Sequence, residues 1–292
     1  MEKERLSLIS TVSTSTARSY SGSYIRLRKL MSLTDRRKPI KNSNLEDVLD
    51  IIRTVENPST AYSVFVIAKK IYSYADNKEL FDKLDLEIKI RKRKLQVDKN
   101  ENLDKSLPTF RQINDAVRTE PDPITYIVSF IMFKLTSRNQ DISLIDLHAS
   151  KKDNYNIERN HLIVSGANKV TYIRNLYKTS KRYGSKINTI TVKKFQQKVL
   201  ELLDGKDTRP LLVRKNGEYI TPSSSASYLK KYTVLGLNES IITKTVLREA
   251  NQNGDYNMLR RISLNRGTTV QVLLNEYDVS NTAPVKQEVD EE

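Results

Sequence analysis

The sequence of 292 residues contains no cysteine and no tryptophan, and only two histidines. Without cysteine there is no disulfide, no thiolate metal site and no cysteine nucleophile. His148 and His161 are too few for a His-rich zinc cage and argue against a Ser-His-Asp triad. Long hydrophobic runs are missing as well. The most apolar stretch, Ile124 to Leu135, is twelve residues long, too short to span a bilayer. Glycine is scarce, at eight residues, and neither the P-loop nor the dinucleotide-binding glycine pattern occurs. The opening MEKERLSLIS lacks the apolar core of a signal peptide, so an intracellular protein without membrane contact is expected.

Acidic residues are outnumbered, 35 against 50 Lys and Arg, which leaves a formal charge of +15. An excess of this size points to a polyanionic partner, nucleic acid before acidic membrane. Its distribution sharpens the inference. Between Lys169 and Lys198 there are nine basic residues and no acidic one, with Tyr172, Tyr177 and Tyr183 among them. The last five residues, Glu288 to Glu292, reverse the sign with four acids, and read as a solvated tail.

The first hundred residues carry helical periodicity. Tyr20, Tyr24, Leu27 and Met31 share one face, and Asn44 is placed to cap a helix bearing Leu45, Val48, Leu49 and Ile52. Pro58 starts another helix, with Ala61, Phe65 and Ala68 along one side. Leu80, Phe81, Leu84 and Ile88 predict a fourth, running into the basic cluster Arg91 to Lys94. The polar stretch from Asp98 to Pro108 is expected to be a linker. Beyond it, Asp122-Pro123 caps the apolar helix Ile124–Leu135, which is hydrophobic nearly all round and so belongs at the centre of its domain. The period then shortens. His161–Ser165, Val170–Thr179 and Ile187–Val192 are expected as strands. Thr191 is expected to cap a helix carrying Phe195, Val199 and Leu202, stopped at Gly205. Asn216-Gly217 signals a short hairpin. From Ser223 to Tyr277 the pattern is helical again, broken at Gly254 and Gly267.

The catalytic vocabulary that remains is arginine, lysine, tyrosine and the hydroxyl residues. One metal-free reaction on a polyanion suits it: attack by a tyrosine hydroxyl on a phosphodiester. Two arginines must hold the non-bridging oxygens, and a lysine must protonate the leaving oxygen. Thr136-Ser137-Arg138-Asn139-Gln140-Asp141 follows the apolar helix. Lys178, Lys181 and Lys186 lie in the basic segment. Thr245-Val246-Leu247-Arg248 lies on a helix, and Arg266-Gly267-Thr268 stands nine residues before Tyr277. This ordered set resembles the tyrosine recombinase (phage integrase) family, and more narrowly the integrase-type proteins of large DNA viruses and their satellites. Arg138 falls on the first arginine of that family and Asp141 on the acid three residues later. Arg248 falls on the second arginine and Tyr277 on the nucleophile. Lys178 is the choice for the hairpin lysine, with Lys181 and Lys186 as rivals. Thr245 and Thr268 stand where the family usually has imidazoles and are read as auxiliary groups.

The resemblance implies a mainly α fold. Residues 1–106 would form a helical DNA-binding, core-binding-like domain, and residues 107–278 an α-rich catalytic domain with a small antiparallel sheet. Residues 279–292 would be an acidic tail. It also implies a DNA recombinase or integrase that needs no cofactor, metal or ATP, located inside the cell where DNA is accessible. Its partner would be double-stranded DNA, gripped by Arg174, Lys181, Arg182 and Lys186, with a homotetramer on synapsed sites. Two alternatives are a type IB topoisomerase-like enzyme and a catalytically inactive DNA-binding relative.

Overall fold

Asparagine and aspartate side chains start helices where the sequence places them. In the computed structural model, which describes residues 2–10, 12, 14–33, 38–221 and 224–277, the side-chain Oδ1 of Asn44 accepts from the backbone N–H groups of Glu46 and Asp47. Asn57 does the same for Ser59 and Thr60 ahead of Pro58. The expected acidic tail, residues 279–292, lies outside the described residues.

The chain divides into two compact units, Met1–Asn100 and Glu101–Glu292. In the first, helices α1(Glu2–Ile9), α2(Thr14–Leu30), α3(Leu45–Thr54) and α4(Pro58–Ile71) gather against the start of α5(Lys78–Ser106). Tyr24 and Leu27, Val48, Leu49 and Ile52, Phe65 and Ala68, and Phe81, Leu84 and Ile88 are buried together as one apolar cluster. The Phe65 and Phe81 rings meet edge-on at 5.9 Å. The Arg91 guanidinium donates to the carbonyls of Arg53 and Val55 at the end of α3, so this member of the basic cluster caps a helix. The expected linker from Asp98 is instead helical as far as Ser106. Its Asp, Lys, Asn and Glu residues are polar without being helix breakers, and the helix stops where Pro108 disfavours helical geometry at the residue before it.

The second unit opens with α6(Phe110–Thr119), started by a reciprocal capping box between Thr109 and Gln112, and α7(Pro123–Lys134), capped by Asp122. All eight residues from Tyr126 to Phe133 are buried, so α7 is the central helix of this unit. A single turn, α8(Asn139–Ile142), leads into β1(Ile145–His148), β2(Asn160–Gly166), β3(Lys169–Arg174), the turn α9(Ser180–Tyr183), β4(Lys186–Ile190), α10(Lys193–Leu203) and β5(Thr208–Pro210). The helices α11(Ser225–Leu229), α12(Glu239–Gln252), α13(Tyr256–Arg266) and α14(Val270–Tyr277) follow. Phe195 of α10 packs on Phe130 of α7 with centroids 4.8 Å apart.

The sheet has five strands in the order β4-β3-β2-β1-β5. It is mixed, which corrects the expectation of a small antiparallel sheet. β1 and β2 run parallel, with Ile145 opposite Asn160 and His148 opposite Ile163. Residues 149–159 carry the chain back to the starting edge, as a parallel pair requires. The other pairs are antiparallel. β3 also ends five residues before the expected limit at Thr179. The carboxamide of buried Asn160 accepts from the Leu176 N–H at 2.8 Å and donates to the Leu176 and Asp141 carbonyls at 3.0 and 2.6 Å. It thereby occupies the main-chain groups that a longer strand would pair. At the start of α10 the capping position belongs to Val192, with no side-chain cap, and not to Thr191.

Candidate functional site

The segment from Thr136 to Asp141, the arginine box, begins with a strained residue. Thr136 follows the end of α7 with φ of 48°, a left-handed conformation that disfavours a β-branched side chain by about 1–2 kcal/mol. Its carbonyl accepts from Arg266 Nη1 at 3.2 Å, which holds the turn in place. Arg138, half-buried, precedes α8, and its backbone N–H donates to Asp141 Oδ2 at 3.3 Å. The next N–H, of Asn139, donates to Glu239 Oε2 at 2.8 Å, while Glu239 Oε1 accepts from Arg266 Nη2 at 2.7 Å. Glu239, the first residue of α12, thus ties the box to the end of α13.

Asp141 is buried. The guanidinium it faces is that of Arg174, with Nη1 3.5 Å from Oδ2. Desolvation pushes the Asp141 carboxyl up to about 6, opposed by Arg174 and by the Arg138 backbone N–H and side chain. Arg174 itself is fully buried. Its expected role as a DNA contact is therefore corrected: a side chain with no solvent exposure cannot reach a phosphate outside the fold. Its guanidinium donates to the Asn265 carbonyl at 3.0 Å and to Asn265 Oδ1 at 3.4 Å.

The basic segment is divided by the fold. The Lys194 ammonium donates to the Arg118 and Glu120 carbonyls, and Lys198 to the Pro121 carbonyl. These two lysines stabilise the end of α6. Lys178 in the β3–β4 loop and Lys181 and Arg182 on α9 are exposed. Lys186, the first residue of β4, is half-buried. Its ammonium donates to the Leu264 carbonyl and sits 4.3 Å from the centre of the Tyr177 ring. Burial, then the Arg174 charge, lowers its pKa.

The loop carrying Lys178 meets the Arg266-Gly267-Thr268 turn directly. Gly267 ends α13 in a left-handed conformation, φ 61°, and a Cβ there would overlap the Thr179 hydroxyl. Gly267→Ala is expected to lower the free energy of unfolding by about 2 kcal/mol or more, from conformation and overlap together. In urea titrations, Thr179→Gly added to that variant recovers the overlap part alone. Thr268 is half-buried, and its backbone N–H donates to the Ser263 carbonyl at 3.0 Å. Tyr277 is the last residue of α14, which packs against α12 and α13; its side chain lies outside the described residues.

Arg138, Asp141, Arg174, Lys186 and the segment Asn265–Thr268 therefore share one place. Thr245 and Arg248 lie on α12, whose Val246 lines one pocket with Thr136. Both donate to the Pro108 carbonyl, at 3.3 and 3.1 Å, and Arg248 lies nine residues beyond Glu239, about 13 Å along the helix. Sequence reasoning missed Asn160, Glu239, Asn265 and the buried role of Arg266. Each works through a partner remote in sequence, and no local pattern marks it.

The two histidines form a separate buried chain. His161 Nε2 lies 2.9 Å from the Asn156 carbonyl and must donate, so its Nδ1 accepts from His148 Nε2 at 3.0 Å. His148 Nδ1 then accepts from Thr208 Oγ1 at 3.2 Å. Desolvation lowers the His148 pKa to about 4. A neutral imidazole favoured in the folded state contributes stability above the ordinary histidine pKa, about 6.5, and loses it as pH falls toward 4. Asp141, with a raised pKa, acts in the opposite sense between about 6 and 4. The expected result is a wild-type unfolding free energy that declines more steeply than that of His148→Gln between pH 6.5 and 4.5, measured by denaturant titration.

Among the described residues no three His, Cys, Asp or Glu side chains converge as a metal ion requires, and no helix is long and apolar enough to cross a membrane. No protein-family model matches the sequence, and no curated protein matches it. Among solved structures, that of XerA recombinase is similar with a TM-score of 0.34 at 11% identity, over 94% of this chain and 92% of that one. A likeness of that degree assigns neither an activity nor a correspondence of residues.

Proposed function

We propose that the second unit breaks and rejoins duplex DNA through a covalent phosphotyrosine. The observation that carries this reading is the joining of the arginine box, the basic β3–β4 loop and the turn before α14 by Asp141, Arg174, Glu239 and Arg266. Arg138 holds a non-bridging phosphate oxygen, and Arg248 exchanges the Pro108 carbonyl for another. The Tyr277 hydroxyl oxygen bonds to phosphorus as the bond to the 5′-oxygen breaks. The phenolic proton leaves to solvent, and a lysine ammonium protonates the 5′-oxygen. The partly buried Lys186, with its lowered pKa, suits that task better than exposed Lys178. Lys178, Lys181 and Arg182 track the DNA backbone. Thr245 and Thr268 supply hydroxyls where imidazoles usually assist. Strand exchange between two such sites takes four copies, one for each strand cut, and this assembly belongs to the proposal.

A nicked duplex that releases a short 5′-hydroxyl strand tests the reading, because it traps the covalent adduct. An adduct supports it; DNA binding without any adduct leaves the inactive DNA-binding relative. Two features favour that second reading: the threonines at 245 and 268, and the engagement of Arg248 by Pro108. Relaxation of supercoiled plasmid without recombination between two sites would indicate a topoisomerase. Binding itself is expected to depend on salt. Lys169, Lys178, Lys181, Arg182 and Lys193 are exposed, so log affinity should fall against log salt with a slope of about −4 to −5. Fluorescence anisotropy on a labelled duplex measures the slope.

A further inference from the structure

Arg174 is the most deeply buried charge of the second unit, with no exposed surface, and the reaction above gives it no part. Its pairing is poor for a buried guanidinium. Nη1 is 3.5 Å from both Asp141 Oδ2 and Ser137 Oγ, and only the bond to the Asn265 carbonyl, 3.0 Å, is short. Arg174 Nε and Asp141 Oδ1 are buried with no hydrogen-bond partner. A buried ion pair this incompletely satisfied is weak evidence for stability, since an apolar pair of like volume often does as well. Buried polar atoms left unpaired ask for another explanation.

Position supplies one. The guanidinium touches two segments remote in sequence. Ser137 and Asp141 flank Arg138 on one side, and Asn265 on the other lies two residues before the glycine turn that leads into α14. Arg266, immediately after Asn265, makes the second connection, to the Thr136 carbonyl and to Glu239. We propose that Arg174 is a positioning residue that fixes Arg138 relative to the helix ending at Tyr277. The inference rests on the DNA-cleavage reading and adds to it a residue that touches no DNA.

The test uses the full chain with Arg174→Lys and Asn265→Ala. Lysine keeps a charge beside Asp141 but lacks the planar fork that reaches both oxygens of Asn265. Because Arg174 has no solvent-exposed atom, duplex affinity should stay within about twofold of wild type, as for any residue that makes no phosphate contact. Single-turnover adduct formation should slow by about a hundredfold, the scale of a displacement near 1 Å at a reacting centre. Asn265→Ala should slow it by about tenfold, since the backbone carbonyl remains. Amide hydrogen exchange should rise together in peptides covering 136–142 and 264–270, and not in β2. Adduct formation at the wild-type rate in Arg174→Lys overturns the proposal. So does a loss of affinity in step with cleavage, or loosening of one segment alone. If the wild-type chain forms no adduct, the cleavage reading fails by itself, and joint or separate loosening in hydrogen exchange still decides whether Arg174 couples the two segments. If Arg174→Lys does not fold, Asn265→Ala carries the same comparison.

Discussion

Tyr277→Phe is expected to abolish the covalent protein–DNA adduct while duplex affinity and the unfolding midpoint stay at wild-type values. The substitution removes one oxygen at the end of α14, and phenylalanine keeps the ring and the helix. The other tyrosines make this a sharp test. The Tyr172 hydroxyl is buried and donates to the Asp141 carbonyl. Tyr24 and Tyr219 donate to Glu4 and Asp146, and burial with these carboxylates pushes both phenols up to about 12. Such hydroxyls are committed to the fold and poor as nucleophiles. Tyr183 is different: it is 57% exposed, in the basic loop, with the Arg182 guanidinium 5.2 Å from its ring. Tyr183→Phe is therefore the control and should retain the adduct. An adduct that vanished with Tyr183 instead would move the nucleophile and remove the reading of the Arg266-Gly267-Thr268 turn.

Local signals in the sequence were sufficient for the helices. Asn44, Asn57 and Asp122 each begin the helix that follows because the cap needs nothing beyond three or four neighbouring residues. The all-round apolar pattern of α7 likewise places it at the centre of its unit. Elements set by distant partners were not legible. β1 has four residues and β5 three, too few to show a period. The parallel pairing of β1 with β2 depends on the course of residues 149–159, which carries no pattern. The charged stretch after Asp98 reads as a linker by composition, yet has no glycine or proline before Pro108 to break a helix.

The candidate site divides along the same line. The order of Arg138, the basic loop, Arg248 and Tyr277 is a property of the chain and is readable from it. Which arginine meets which acid is a property of packing. Arg174 belongs to a basic segment and reads as a surface cation, but it shares the buried face of its strand with Val170 and Tyr172, and its guanidinium meets Asn265. Asp141 then faces Arg174 and accepts a hydrogen bond from the Arg138 backbone N–H.

The choice between hairpin lysines rests on that packing and leads to the second large effect. Lys186→Ala is expected to slow adduct formation by about a hundredfold or more, the usual contribution of a positioned proton donor. Lys186 has the features of a donor: its ammonium is partly withdrawn from water, and burial and the Arg174 charge lower its pKa from the ordinary lysine value. A lower pKa makes it a stronger acid. By the same sign, the alkaline decline in cleavage should begin below the pH at which an exposed lysine titrates. A duplex with sulfur in place of the bridging 5′-oxygen separates this role from electrostatic support, because a thiolate leaves without a proton. Lys186→Ala should recover most of its rate on that substrate. Lys178→Ala and Lys181→Ala should lose affinity and show no such recovery, since their exposed side chains offer phosphate contacts only. If sulfur restores Lys178→Ala instead, the reaction stands and its proton comes from the loop. In that case the bond from Lys186 to the Leu264 carbonyl is a structural tie between β4 and α13.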